Sequence, residues 1–178
     1  VTKASKMGAG LVTGLADVLE SALADGSGLD PGKSTGIYDL DLVIGGIRPA
    51  EWTVVSGPTG GGKTTLIQSF LTYQVQDGEP SLLIGPEMSP HDNAIRWASQ
   101  LTGRSVFTMT VEERKGIAPM VRAFPAYMLP KMGNVPMDEV AGALEFAARR
   151  FGITRIGLDH LDFLLKDLND VAEIDATI

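Results

Sequence analysis

Gly57-Pro58-Thr59-Gly60-Gly61-Gly62-Lys63-Thr64 constrains this chain more than any other stretch. It fits G-x-x-x-x-G-K-[ST], the pattern of a phosphate-binding P-loop. Glycines let the backbone curl so that successive N–H groups point inward at phosphate oxygens. Lys63 is a point charge within reach of β- and γ-phosphates, and the Thr64 hydroxyl is a ligand for Mg²⁺. A helix opening near Lys63 adds the positive end of its dipole. Such a loop follows a strand and precedes a helix. Glu51-Trp52-Thr53-Val54-Val55-Ser56 reads as a short buried strand. Thr65 to Gln76 reads as a helix, with Leu66, Ile67, Phe70 and Leu71 on one side and Gly78 past its end. Residues 57 to 65 form the expected nucleotide-binding set, with Lys63 also in a catalytic role and Thr64 on the metal.

A second stretch, Gly28-Leu29-Asp30-Pro31-Gly32-Lys33-Ser34, looks similar but is one residue short. Ser27 stands where the first glycine belongs, no apolar strand precedes it, and Pro31 stiffens the turn. Gly26 to Gly36 therefore reads as a linker. The expected organisation is a linker helix and flexible linker over residues 1–33 and one domain over 34–178.

The 178 residues suffice for one domain with a sizeable core. The net charge of −7 argues against binding nucleic acid by overall charge, though it leaves room for a local basic channel. With no cysteine, disulfides, thiolate catalysis and Cys-type zinc sites are excluded. No apolar run reaches transmembrane length, so no membrane partner is expected. Lys3, Lys6 and the stretch from Met7 to Ala16 faintly resemble a signal peptide, but Asp17 follows without a cleavage site. The expected location is cytoplasmic. The chain starts at Val1, and Val171, Ile174 and Ile178 at helical spacing run to the last residue with no C-cap signal. The expectation is a piece of a longer protein.

Strands and helices alternate along the domain. Leu11, Leu15, Val18, Leu19, Ala22 and Leu23 make a helical stripe, and Ile37 to Ile47 reads as a short helix or turn ending at Gly45-Gly46. Ser81-Leu82-Leu83-Ile84 reads as a strand, and Ser89-Pro90 as the cap of a helix running to about Leu101. Thr110-Val111-Glu112-Glu113 is a capping box. Ala126 to Leu129 reads as a third strand. Met137, Val140, Leu144, Ala147 and Phe151 mark a long amphipathic helix capped by Gly152. Ile153 to Leu158 reads as a strand ending at Asp159. This order predicts an α/β fold, a parallel sheet with helices on both faces.

Ligands of a parallel sheet lie at the carboxyl ends of its strands. Two acids belong there. Asp159 is the expected Mg²⁺-side carboxylate, and Glu87 the expected base for the attacking water. Each has a plainer reading, a solvated strand-end acid for Asp159 and a charge favouring the next helix for Glu87. His160 and His91 read as hydrogen-bonding or surface histidines. Asp159 and His160, as neighbours on an extended segment, are not expected to converge. Arg149 and Arg150 suit the dipole of a helix end. Trp97 and Phe107 could stack on a base, yet their positions suit a core better.

Several stretches together resemble the RecA-like core of ring-shaped replicative helicases of the DnaB type and their Twinkle and phage primase-helicase relatives. Ser34-Thr35-Gly36-Ile37-Tyr38-Asp39-Leu40-Asp41 and Gly45-Gly46-Ile47-Arg48-Pro49 resemble the family's lead-in to the P-loop. Gly85-Pro86-Glu87-Met88-Ser89 is similar to the segment with the catalytic glutamate, and Arg155 to Leu164 resembles the Walker B segment. The resemblance implies a RecA-like P-loop NTPase, a three-layer α/β/α domain with a mostly parallel sheet. It implies Mg²⁺ with ATP as cofactor, a homo-oligomeric, hexameric ring, and movement along single-stranded DNA in replication. His160 and Asp162 stand where that family usually has Tyr or Asn and Gln. The family's sensor strand, DNA-binding loops and arginine finger lie beyond the Walker B strand, and its sensor strand inserts between the Walker A and Walker B strands. On this reading the chain is truncated after the Walker B strand, lacks a central strand and by itself hydrolyses ATP hardly at all. The helix from Leu11 to Leu23 would resemble the linker helix that packs on the next subunit. A RecA-like ATPase of the KaiC or RadA kind, acting as recombinase or nucleotide switch, fits the lead-in too. A third reading is a nucleotide-binding assembly module without catalysis.

Overall fold

The computed structural model describes residues 13–25 and 31–160. These fall into two units divided between Gly32 and Lys33. The first holds helix α1, Leu15–Asp25. Leu11 of the predicted stripe, Asp162 and the apolar residues from Val171 onward lie outside the described residues.

The second unit is built on three strands, β1 (Ser81–Ile84), β2 (Ala126–Leu129) and β3 (Arg155–Leu158). β1 is central and pairs parallel with both neighbours in the order β2-β1-β3. Ile84 lies opposite Leu129 on one side and Leu158 on the other, so the strands end level. Helices α2 (Tyr38–Ile44) and α3 (Lys63–Gln76) precede β1. Helix α4 (Pro90–Thr102) and the short α5 (Val111–Lys115) and α6 (Ile117–Val121) lie between β1 and β2 in the chain. The long helix α7 (Met137–Phe151) then leads into β3. Among the described residues no helix is long and apolar enough to cross a membrane.

The apolar run Leu82-Leu83-Ile84 makes sense because both faces of β1 are covered. Leu82 and Ile84 point to one face and pack with Val140 and Ala147 of α7. Leu83 points to the other and packs with Leu71 and Val75 of α3 and Trp97 and Leu101 of α4. The result is the expected three-layer α/β/α arrangement.

Helix ends follow the local sequence. The Ser89 hydroxyl accepts from the Asp92 N–H at 3.1 Å, and Pro90 opens α4, which stops at Gly103. Thr110 and Glu113 form the predicted capping box at α5. Arg104 adds a 2.6 Å ion pair to Glu113, and the Thr110 N–H first and then Arg104 pull the pKa of the Glu113 carboxyl down to about 2. At the end of α7, Arg149 pairs with Glu145 at 2.6 Å and Arg150 lies 5.7 Å from the Phe151 ring centre. The helix-end reading of both arginines fits these contacts.

Side-chain bonds tie the lead-in together. Lys33 and Ile47 form an antiparallel bridge, with N–H to O distances of 2.9 and 2.8 Å. Asp41 on α2 accepts from the Ser34 hydroxyl at 2.5 Å, and from the Thr35 N–H at 2.9 Å and hydroxyl at 2.7 Å. Desolvation opposes the charge on Asp41, but these three bonds outweigh it and hold the carboxyl below its usual range.

The strand predicted over residues 51–56 is not there. This segment joins no ladder, and Trp52 and Val54 are 86% and 81% exposed. Strand propensity does not make a strand without a partner for its backbone N–H and C=O groups. Among the described residues no strand lies beyond β3 to supply one.

Gly157 sets how close α3 comes to the sheet. A Cβ there would lie 2.7 Å from Ile67 Cγ2 and 2.8 Å from Leu71 Cδ1. Gly157→Ala should therefore push α3 off β3 and cost about 1–3 kcal/mol. A denaturant midpoint unchanged from wild type would show that the helix can yield freely.

Candidate nucleotide site

Because the three strands end level, the segments leaving β1 and β3 share one rim of the sheet. The first turn of α3 joins them there. Gly60 and Gly62 take φ values of +77° and +87°, in the left-handed region that favours glycine. Gly62 is the N-cap of α3, and the Gly61 N–H donates to the Pro58 carbonyl at 3.0 Å. The loop borders an open cleft of about 480 Å³ lined by Ser56, Gly57, Gly61, Gly62, Lys63 and Thr65 among others.

Lys63 folds over its own loop. Its ammonium donates to the Gly57 carbonyl at 2.9 Å and to the Pro58 carbonyl at 3.0 Å. The Thr64 hydroxyl donates to Asp159 Oδ2 at 2.5 Å. Asp159 is 2% exposed, and its N–H donates to the Ile84 carbonyl at 2.8 Å, extending the β1–β3 ladder by one bond. The two residues expected at the metal are thus in direct contact. Their donors are a hydroxyl and a carboxylate, hard oxygens that suit Mg²⁺ arriving with phosphate ligands of its own. No larger group of His, Cys, Asp and Glu able to hold a metal occurs among the described residues.

Glu87 leaves the same rim in the turn after β1, its side chain about half exposed. Its Oε2 lies 3.7 Å from His160 Nε2, and His160 follows Asp159 through a cis peptide bond. His91 is exposed on α4. Trp97 is buried, and its indole N–H donates to the Thr72 hydroxyl at 3.2 Å, so it belongs to the core. Phe107 is 61% exposed and does not belong there. It borders a smaller cleft of about 190 Å³ with Thr65, Gln68, Arg96, Ser99 and Gln100.

Two residues near the site escape a reading of the sequence. Gln68 on α3 and Asn93 on α4 are buried amides bonded to each other at 3.3 Å. A signal exists. Asn93 shares a helical stripe with Trp97 and Leu101, and Gln68 one with Leu71 and Val75. A polar residue on an apolar stripe is one that must find a partner.

Comparisons with known proteins agree with this geometry. The family model described as the KaiC ATPase matches residues 33–176. The circadian clock protein KaiC3 of Synechocystis sp. is 26% identical over 153 residues, covering 79% of this chain and 27% of that protein. The chain thus spans about a quarter of that relative's length. The solved ATPase domain of a DnaB-like helicase superposes with a TM-score of 0.60 at 14% identity, over 86% of this chain and 59% of that one. Likeness at that identity speaks for the fold, the RecA-like P-loop ATPase fold expected from the sequence.

Proposed function

This chain belongs to the KaiC family of ATPases, and from that premise we propose that it binds and hydrolyses Mg·ATP at the P-loop rim. The observation that carries the proposal is the Thr64–Asp159 hydrogen bond, which joins the P-loop to the tip of β3. Backbone N–H groups of residues 57–65 and the Lys63 ammonium would take the phosphates, the ammonium exchanging its loop carbonyls for phosphate oxygens. Thr64 and Asp159 would hold Mg²⁺, which supplies charge neutralisation at the β- and γ-oxygens. Glu87, half exposed at the same rim, would accept the proton of the attacking water.

The finer reading is that this cycle drives a homo-oligomeric ring along single-stranded DNA. Its support is the resemblance of Gly85-Pro86-Glu87-Met88-Ser89 to the helicase segment. The family itself favours a second reading, a nucleotide switch whose states depend on bound ATP or ADP. The test is ATP turnover by the full-length protein, titrated with Mg²⁺ and then with single-stranded DNA. Asp159→Asn should shift the Mg²⁺ requirement to higher concentration, and an unchanged Mg²⁺ curve would overturn the metal-side assignment. Turnover stimulated by the strand, with unwinding of a forked duplex, would favour the motor. Turnover indifferent to DNA would favour the switch.

A further inference from the structure

Gln68 is 1% exposed and Asn93 2%. Burying two amides is costly unless their donors and acceptors are met. Here they are met in one chain of bonds. Gln68 Nε2 donates to Asn93 Oδ1 at 3.3 Å. Asn93 Nδ2 donates to the Gly85 carbonyl at 2.7 Å and, at longer range, to the Met88 carbonyl at 3.4 Å. Gly85 and Met88 bracket Pro86-Glu87. The turn that carries Glu87 is therefore gripped at both ends by a single amide. The grip is close, since a Cβ on Gly85 would lie 2.9 Å from Asn93 Nδ2. From the other side, the Gly133 N–H holds the Pro86 carbonyl at 2.9 Å.

The orientation of that amide comes from the P-loop helix. Gln68 lies on α3 little more than a turn beyond Lys63. Its N–H₂ fixes which end of Asn93 is the acceptor and so turns the donor end toward the two carbonyls. Leu at position 93 would leave both carbonyls and the Gln68 amide without this partner. Asp would set a carboxylate against two carbonyl oxygens.

We propose that Asn93, oriented by Gln68, is a positioning residue for Glu87, locking its turn to the P-loop helix at the distance hydrolysis needs. Asn93 acts through Glu87 and meets no reactant itself, and the proposal rests on Glu87 being the base. A carboxylate displaced by an ångström loses about 10²-fold in rate. Asn93→Leu in the full-length protein should therefore lower kcat by about that factor, with Mg·ATP affinity unchanged. In a Glu87→Gln background it should lower the residual rate no further, because the group it positions is already gone. Gln68→Met, which removes only the orienting amide, should show the same pattern in weaker form. It carries the test if Asn93→Leu fails to fold, as read from the near-ultraviolet circular dichroism of buried Trp97. Wild-type kcat in the variants, or an additive loss on top of Glu87→Gln, overturns the proposal. If Glu87→Gln itself turns over normally, the base assignment is what fails, and this proposal falls with it.

Discussion

Lys63→Ala should bind Mg·ATP about 10- to 150-fold more weakly than wild type, the equivalent of ~1.5–3 kcal/mol for a hydrogen bond to a charged group. One ammonium faces several anionic oxygens in a partly dry cradle, and no neighbouring cation on the loop can replace it. The fold should be nearly unaffected. In the free protein the ammonium serves the Gly57 and Pro58 carbonyls, which belong to an exposed loop and can turn to water. Isothermal calorimetry with Mg²⁺ present reads the affinity, and a melting curve reads the fold. Equal affinity in the two proteins would remove Lys63 from the site.

Glu87→Gln should keep ATP binding and lose hydrolysis by about 10²–10⁴-fold, the usual worth of a positioned general base. The amide has nearly the shape of the carboxylate but cannot take the water's proton. Binding should survive because the phosphate and metal contacts come from residues 57–65 and Asp159, on other segments of the rim. The experiment is single-turnover hydrolysis in the full-length protein beside a binding titration. A wild-type rate would reduce Glu87 to a charge ahead of α4.

Helices α3, α4 and α7 and all three strands are legible in the sequence because each signal is local. Ser89-Pro90, Gly103 and Gly152 mark ends, and Leu82-Leu83-Ile84 marks a strand buried on both faces. The pairing of Thr64 with Asp159 is legible for a different reason, since the motif and the strand-end rule each name one partner. Trp52-Thr53-Val54-Val55 shows the limit of such reading. Its residues favour a strand, but a strand is made by a neighbour, and composition says nothing of the neighbour. Helix α6 and the 3₁₀ turn at Val106–Thr108 leave no such trace because they are too short to show a period. Gln68 and Asn93 stay hidden because their bond joins two helices with no shared motif.

The Thr64–Asp159 bond also sets an order of events on the ribosome. Its partners stand 95 residues apart, with β1, β2 and every helix from α4 to α7 between them. Lys63 and its loop emerge early, and the cradle for phosphate can form as soon as α3 winds. Of the site residues Asp159 comes last, and it reaches Thr64 only after β3 has paired with β1. A nascent chain thus passes through a stage in which it can grip phosphate without a metal-side carboxylate. Contacts this far apart in sequence close slowly. The nucleotide therefore meets a finished site only once β3 has joined the sheet, so cofactor loading and strand docking become a single checkpoint in the protein's synthesis.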